Sequence, residues 1–495
     1  MTSVCAWGAL KVLLVLSSRT ESASHRGASL GLMRLAVGHL PTANLVETMA
    51  DLLPRLPRIE ALIGRRLGEI DAATIERMVT THVREDTDLD FKVEIYKDAD
   101  KGHQDAAADV AAMANGPGGA IFLGIRDQDG AAVEVVPVAF SETTELRLRQ
   151  AIISLSAPAP LFVLHRVPVT AALDRGVYLV VVPPSPYAPH AVRSGVRLGY
   201  PRRSGPHTRW LSESEVAESY RSRFISGEQR AERLDVVRND GAEMLGEAQI
   251  WVATALVPVV PGSFTVRRRS MVDIQNAALG WYRQDYANHV FVGQPQAEAA
   301  VGRVVIYSDR KEGSRRSTSG HAELYTDGSA FAATPVGGRQ PASTVSYVED
   351  EWMVEAAIAT AAFCIEFAIE RAGAVGDAYI NTSVIASPVV ELELAHTRMM
   401  GTRTTFAGSH RVSGGHVSRA LISLEDAATP AGGLVVARML LSEVFQWFGY
   451  PEVPQITEEG RLRRRYIANQ NKKLVETWAA ANGVEMVDTV LEVEP

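Results

Sequence analysis

The sequence predicts an α+β protein, with a mixed-sheet α/β module in its first half and a second α+β domain after it. Three observations lead there. Leu89, Phe91, Val93 and Ile95 alternate with Asp90, Lys92 and Glu94, the period-two pattern of a strand with one apolar and one polar face. The segment HQDAAADVAAMAN then places Ala107, Val110, Ala111 and Ala114 at helical spacing. The run AIFLGI that follows has no polar alternation, which suits a strand buried on both faces.

The elements around these three can be justified in order. Residues 58–83 predict two short helices that cover the sheet, with Asp71 as N-cap of the second and Glu76 in its first turns. Glu85 follows them, five residues before Asp90, and can fold back beside the polar face of the strand. The helix 103–115 stops at Asn115-Gly116, and Asp129-Gly130 marks a tight turn after the apolar strand. A helix over 145–156 and strands over 161–169 and 177–182 come next, then a proline-stiffened loop, PPSPYAPH. Beyond a helix over 211–220, a charged helical stretch over 226–239 reads as a link to the second half. There the pattern predicts strands over 250–260 and 303–308 and helices over 270–283 and 350–372. It also predicts a hairpin over 322–335 turning at Asp327-Gly328, strands over 379–386, 389–396 and 420–424, and helices over 434–448 and 461–482.

Composition bounds the function. With 495 residues, 46% hydrophobic and 22% charged, the chain can bury sizeable cores in two or three domains. A net charge of -8 excludes a globally basic nucleic-acid binder, so any such contact must come from local patches. Two cysteines, Cys5 and Cys364, exclude a disulfide framework and fit a reducing cytoplasm. The apolar opening 6–16 lacks a basic leader and is interrupted by Lys11, and no later run approaches the ~20 residues of a membrane span. The expected organisation is a disordered or upstream-started extension over 1–45, with Met33 and Met49 as alternative starts, and a helical lead-in over 46–82. The sheet module spans 83–225, a linker helix 226–245, and the second domain 246–495.

The order of motifs in the first half resembles the Schlafen AlbA-type domain. The residues that carry the likeness are Glu85 with Leu89-Asp90-Phe91-Lys92, Ala114-Asn115 with Gly118-Gly119, and Gly124-Ile125-Arg126-Asp127. Farther on they are Val180-Val181-Val182-Pro183, Pro189-His190, the segment Tyr200-Pro201-Arg202-Arg203-Ser204-Gly205 and the closing helix 211–220. The resemblance implies an α/β nucleic-acid-associated module, one that has also been labelled a divergent ATP-binding domain. The second half resembles no family.

Three constellations carry candidate chemistry. The first is Glu85, Asp90 and Asp127 with Lys92 beside them; clustered carboxylates can hold Mg²⁺ or Mn²⁺, and a lysine can contact a scissile phosphate. Some Schlafen-family members are RNA endonucleases using three acids, the first two five residues apart, and Glu85, Asp90 and Asp127 match those places, with Asp129 as a substitute for the third. Aspartate here replaces the second glutamate of that pattern. The bland alternative is that the acids serve a turn and an exposed sheet face. The second is the strip Arg193, Arg197, Tyr200, Arg202, Arg203, His207, Arg209 and Trp210, suited to phosphates and unpaired bases, or else a solvated loop over a core Tyr200 and Trp210. The third is the loop 115–119, which follows a helix and lacks Gly-Lys-Ser/Thr, so the turn and close packing explain its glycines better than a phosphate does. The basic runs at 461–473 and 267–269 are further candidate nucleic-acid contacts or, the preferred reading, solvated faces, and the histidines lack metal-ligand spacing.

The expected function is nucleic-acid binding, RNA or DNA, joined to divalent-metal-dependent endoribonuclease activity. The alternative is a non-catalytic DNA-binding or regulatory module whose C-terminal half senses a ligand or forms an oligomer. ATP binding is a minor third reading. The resemblance also implies a homodimer.

Overall fold

A computed structural model describes residues 53–489, apart from 172, 248, 283–285, 288, 310–315, 339–344, 387–390, 398–402, 406–410, 414 and 469–470. The extension over 1–45, with Cys5 and Met33, lies outside the described residues, as does Met49. The fold is α+β, as the sequence predicts.

Two short helices, α1 (Pro57–Ile63) and α2 (Ala72–Thr80), lead in; the Asp71 carboxylate caps α2 by accepting from the Thr74 N–H at 2.8 Å. Strand β1 (Leu89–Lys92) is followed by α3 (Asp100–Ala114), β2 (Gly119–Leu123), β3 (Ile125–Gln128), β4 (Ala131–Val135) and β5 (Val138–Ala139). Then come α4 (Glu142–Leu155), β6 (Ser156–Ala157), β7 (Val163–Pro168) and β8 (Arg175–Val182). The central sheet runs β1-β2-β8, with β5 and β7 both on β8; β1 and β2 are parallel, and the other pairs antiparallel. Period two decides which side each residue faces. Leu89, Phe91 and Phe122 pack under Ile59, Ile75 and Met78 of α1 and α2, whereas Ile121, Leu123 and Val180 pack against Val110 of α3 and Ile152 of α4. The sheet is therefore covered on both sides, and every residue of β2 is buried.

Four short strands stand on this core as two hairpins. β9 (Ala191–Ser194) pairs with β10 (Arg197–Gly199), and β11 (Pro201–Ser204) with β12 (His207–Trp210). A single 31-residue helix, α5 (Glu213–Glu243), then begins at a capping box made by Ser212 and Glu215. The segments 211–220 and 226–239 are thus parts of one element, because residues 221–225 between them carry the helix on without a break and Gly227 does not interrupt it.

The second half is built on β13 (Gln249–Val260). After α6 (Arg268–Gly280) come β14 (Gln296–Ala300), β15 (Arg303–Tyr307), β16 (His321–Tyr325), β17 (Ala330–Gly338), β18 (Val345–Glu349) and the core helix α7 (Asp350–Glu366). β19 (Val375–Ala386), β20 (Glu391–Thr397), β21 (Arg403–Thr405), β22 (Val412–Ser413), β23 (Val417–Ser423), α8 (Leu424–Ala427) and α9 (Pro430–Trp447) follow. An antiparallel sheet ordered β14-β15-β16-β17-β13-β19-β23 buries one face under α7 and α9; a smaller sheet holds β18, β20, β21 and β22. On its other face, Leu234 and Val237 of α5 meet Trp251 and Phe331. Gly241 permits this approach: a Cβ there would come within 2.3 Å of the Phe331 ring. Against the sequence reading that no later run approaches that length, helix α7 with its continuation to Arg371 is long and apolar enough to cross a membrane, and it is largely buried between these layers.

One predicted element is corrected. The run 461–482 is not one helix; Leu462–Arg463 forms β24, a 3-10 turn follows at Arg464–Tyr466, and only Lys472–Ala481 is helical (α10). The cause is pairing of β24 with β25 (Met486–Val487), together with Arg463, whose guanidinium donates to the carbonyls of Val453, Pro454 and Ile456.

Asn115 joins the hairpins to the core. Its amide nitrogen donates to the carbonyls of His190 (2.9 Å) and Pro201 (2.8 Å), and its Oδ1 accepts from the His190 N–H (2.6 Å). Replacing Asn115 by alanine leaves three buried backbone groups without partners, an expected loss of about 2–4 kcal/mol in urea unfolding. A loss under about 0.5 kcal/mol would show that the clasp is dispensable.

Candidate nucleic-acid interface

Strand β1 carries Asp90 and Lys92 on the face toward α3, as its alternation predicts, but on that face Asp90 is closed off and Lys92 is only part-exposed. Asp90 is 2% exposed. Arg203 of β11 reaches it with Nη1 3.0 Å from Oδ1, and Lys92 Nζ lies 2.5 Å from Oδ2. Arg203 Nη2 also donates to the carbonyls of Asp86 and Leu89. On α3, Asp109 accepts from the Tyr96 hydroxyl at 2.8 Å and lies 3.7 Å from Lys92 Nζ. Burial raises the Asp109 carboxyl, and Lys92 opposes the rise. For Lys92, burial works against the charge, yet Asp109 and Asp90 together hold its pKa above the ordinary lysine value. Asp109 and Tyr96 are site members that sequence reasoning missed; the signal was an aspartate inside an alanine-rich helix.

The other two acids are engaged locally. Glu85 Oε1 accepts from the Phe91 N–H at 2.8 Å, and its own N–H donates to the Gly130 carbonyl at 2.7 Å, which ties β1 to the β3–β4 turn. Asp127 is exposed, and its carboxylate accepts from the Gly130 N–H at 3.2 Å. In that turn Asp129 and Gly130 both have positive φ, the conformation that matches hairpin twist. Burial, and then the Asp90 and Asp127 charges, raise Glu85 above the ordinary carboxylate range against the pull of the Phe91 N–H.

A divalent ion needs carboxylate lone pairs turned toward one point. Here Asp90 is neutralised by Arg203 and Lys92 and as arranged offers no free charge to such an ion, while Glu85 and Asp127 each accept one backbone N–H. Among the described residues no group of three or more His, Cys, Asp or Glu could hold a metal. The loop 115–119 does not fit a phosphate either. The N–H groups of Gly116 and Gly118 donate to the Met113 carbonyl at 2.9 and 3.1 Å, turned toward the helix end. Gly118 has φ +79°, and a Cβ on Gly119 would sit 2.4 Å from Met113 Sδ, so turn and packing account for both glycines.

The basic strip divides by strand period. In β11, Arg202 and Ser204 face outward while Arg203 faces in, which takes Arg203 out of the exposed strip that the sequence assigned it to. Arg193, Arg197 and Arg202 are exposed, and none has a carboxylate within ion-pair reach among the described residues. Arg209, beside Arg202 across the hairpin, is paired to Glu215 at 2.7 Å, and that pairing pulls Glu215 down to about 2. Tyr200 packs edge-on to Tyr220 of α5, with ring centroids 6.4 Å apart, so it is half-buried support. Trp210 is 56% exposed. It covers Gly199 with one part of its ring and leaves the rest in solvent.

A family model described as Schlafen, AlbA_2 matches residues 85–212, the segment from Glu85 to the cap of α5. That segment is a Schlafen AlbA_2 domain. The family ties the domain to nucleic acids, and residues 213–489 lie outside the match. No curated protein matches the chain. Among solved structures, the DIP2311 protein from Corynebacterium diphtheriae is similar at 23% identity, over 30% of this chain and 28% of its own, with a TM-score of 0.22. That likeness carries no argument about the rest of the chain.

The raised Glu85 carboxyl gives a pH test. The folded AlbA_2 domain binds that proton more tightly than the unfolded chain, so the contribution is fully present below the ordinary glutamate value. It is lost as pH rises through the folded value, and Glu85 is a net cost at pH 7. Glu85→Gln keeps an acceptor for the Phe91 N–H. Its melting temperature is expected to equal or exceed wild type at pH 7, with any gain gone by pH 4; a lower value at pH 7 would contradict this assignment.

Proposed function

We propose that the AlbA_2 domain binds nucleic acid on the outer face of its two hairpins, and that its carboxylates hold the hairpins in place instead of binding a metal. The observation that carries this reading is the set of three uncompensated guanidiniums, Arg193, Arg197 and Arg202, on hairpins that also expose Trp210. Guanidiniums pair with phosphates bidentately, and an exposed indole stacks on an unpaired base whatever its identity. In a chain of net charge -8, such a patch limits binding to one surface. The exposed Arg209–Glu215 pair is cheap to open, so Arg209 can join when a phosphate competes for it. Unpaired strands are favoured over duplex, since Trp210 needs a free base face.

The reading is non-catalytic because using Asp90 as a metal ligand would require Arg203 and Lys92 to leave it. Fluorescence anisotropy with labelled single-stranded RNA, single-stranded DNA and duplex, in EDTA and in Mn²⁺, tests it. Binding is expected to be the same with and without metal and to weaken with salt. The Arg193→Ala/Arg197→Ala/Arg202→Ala variant is expected to reduce the slope of log affinity against log salt by about 2. Trp210→Ala should weaken single strands more than duplex. Metal-dependent cleavage that disappears in Glu85→Ala/Asp90→Ala would overturn the non-catalytic reading, and an unchanged triple variant would overturn the interface.

A further inference from the structure

A cleft of about 370 Å³ opens between helix α5 and the loop from β8 to β9. Its volume suits a small anion with a modest organic body. One wall is a single face of α5, where Glu215, Ser219, Ser222, Ser226 and Arg230 recur at three- and four-residue spacing. The other wall is the loop, with Ser185, Pro186 and Ala188, and Arg202 of β11 joins it. That loop is anchored: the Ser185 N–H donates to the Ala114 carbonyl at 3.2 Å, and the Ser185 hydroxyl lies 2.6 Å from His190 Nε2.

Three guanidiniums line the cleft, those of Arg202, Arg223 and Arg230, and none has a carboxylate within ion-pair reach among the described residues. Arg223 lies over the Tyr187 ring, 5.5 Å from its centroid, and that partner is uncharged. Arg230 is half-buried, and burial pulls it below the ordinary arginine value, opposed only by Tyr379 and Tyr187. The charge of Arg223 is also felt inside the domain, where burial first and Arg223 with it hold His190 below the ordinary histidine value. The two acids of the lining bring cations from outside it: Glu215 pairs with Arg209, and Glu218 with Arg221. Asp377 accepts the Tyr187 hydroxyl and is in ion-pair reach of none of the three arginines. With the two lining pairs neutral, the three guanidiniums are surplus positive charge in a concave site.

We propose that this cleft binds a phosphomonoester dianion, held by Arg202, Arg223 and Arg230, with the Ser222 and Ser226 hydroxyls as further donors. Guanidiniums pair with phosphate oxygens two bonds at a time, and a tetrahedral dianion accepts from more directions than a planar carboxylate does. Neither serine makes a hydrogen bond among the described residues, so both hydroxyls are available. Two sources carry this chemistry, the 5′ end of a nucleic-acid strand and a free phosphorylated small molecule. Arg202 is shared with the hairpin face, whereas Arg223 and Arg230 belong to the cleft, and the proposal does not depend on the nucleic-acid reading.

Two matched pairs, titrated into the full chain at constant ionic strength, test it: uridine 5′-monophosphate against uridine, and one 3′-labelled RNA strand with a 5′-phosphate against the same strand with a 5′-hydroxyl. The phosphorylated member of at least one pair is expected to bind about tenfold more tightly. A preference between the strands assigns the strand end as the source, and a preference between the nucleosides alone assigns a free phosphorylated molecule. Arg223→Ala/Arg230→Ala should abolish the preference and leave the 5′-hydroxyl strand within about twofold of wild type. Arg193→Ala/Arg197→Ala should weaken both strands and keep any preference between them. Ser222→Asp, at an exposed position on the cleft face of α5, should also abolish the preference and serves if the double variant does not fold. Equal binding within both pairs, or a preference that survives the cleft variants, would overturn the proposal, while the 5′-hydroxyl strand reports separately on the hairpin interface.

Discussion

The buried ion pair between Asp90 and Arg203 is the constraint on which the AlbA_2 domain depends. The two side chains are almost fully excluded from water; Arg203 has Asp90 as its carboxylate partner, and Asp90 is held by Arg203 together with Lys92. Arg203 belongs to a hairpin more than a hundred residues downstream of β1, and its bonds to Asp90 and to the Asp86 and Leu89 carbonyls fix that hairpin against the sheet. Asn115 makes the second attachment, from the end of α3 to His190 and Pro201. With both in place, strand alternation alone decides that Arg202 faces outward, so the fixed interior pair orients the solvent-facing guanidinium beside it.

The same arrangement underlies the proposal that this acidic cluster holds structure together instead of a metal. Substituting aspartate for a longer acid at position 90 shortens the reach of the carboxylate, and the space beyond it is filled by Arg203 and Lys92. The charges near β1 then form a connected series, Arg203 to Asp90 to Lys92 to Asp109, with the Tyr96 hydroxyl at its end. Each carboxylate in that series has a cation or a hydroxyl, which is what makes their burial affordable. Helix α5 then carries the hairpin module onto the second sheet, where Gly241 lies against Phe331 and Asp235 pairs with Arg419 at 2.7 Å.

Much of this was legible in the sequence because it is local. The capped helix at Asp71, the doubly buried strand β2, the Asp129-Gly130 turn and the long core helix α7 all follow from spacing and turn chemistry within a few residues. The face shared by Asp90 and Lys92 was legible too; what covers it was not, because its cover comes from residue 203. The pair Arg202-Arg203 carried a usable signal, since adjacent residues of a strand cannot both face solvent when one side is packed. The C-terminal basic run was misread for the opposite reason. Its helical spacing is real from Lys472 onward, but Arg463 is committed to three backbone carbonyls that no local pattern reveals.

The most direct test of the central pair is a double-mutant cycle, with unfolding free energies measured for wild type, Asp90→Asn, Arg203→Met and the double variant. A buried, mutually dependent pair should give a coupling energy of about 2 kcal/mol or more, with the double variant losing less than the sum of the singles. Additivity within about 0.5 kcal/mol would mean that the two side chains do not depend on each other, and would contradict the account of how the basic hairpin is held.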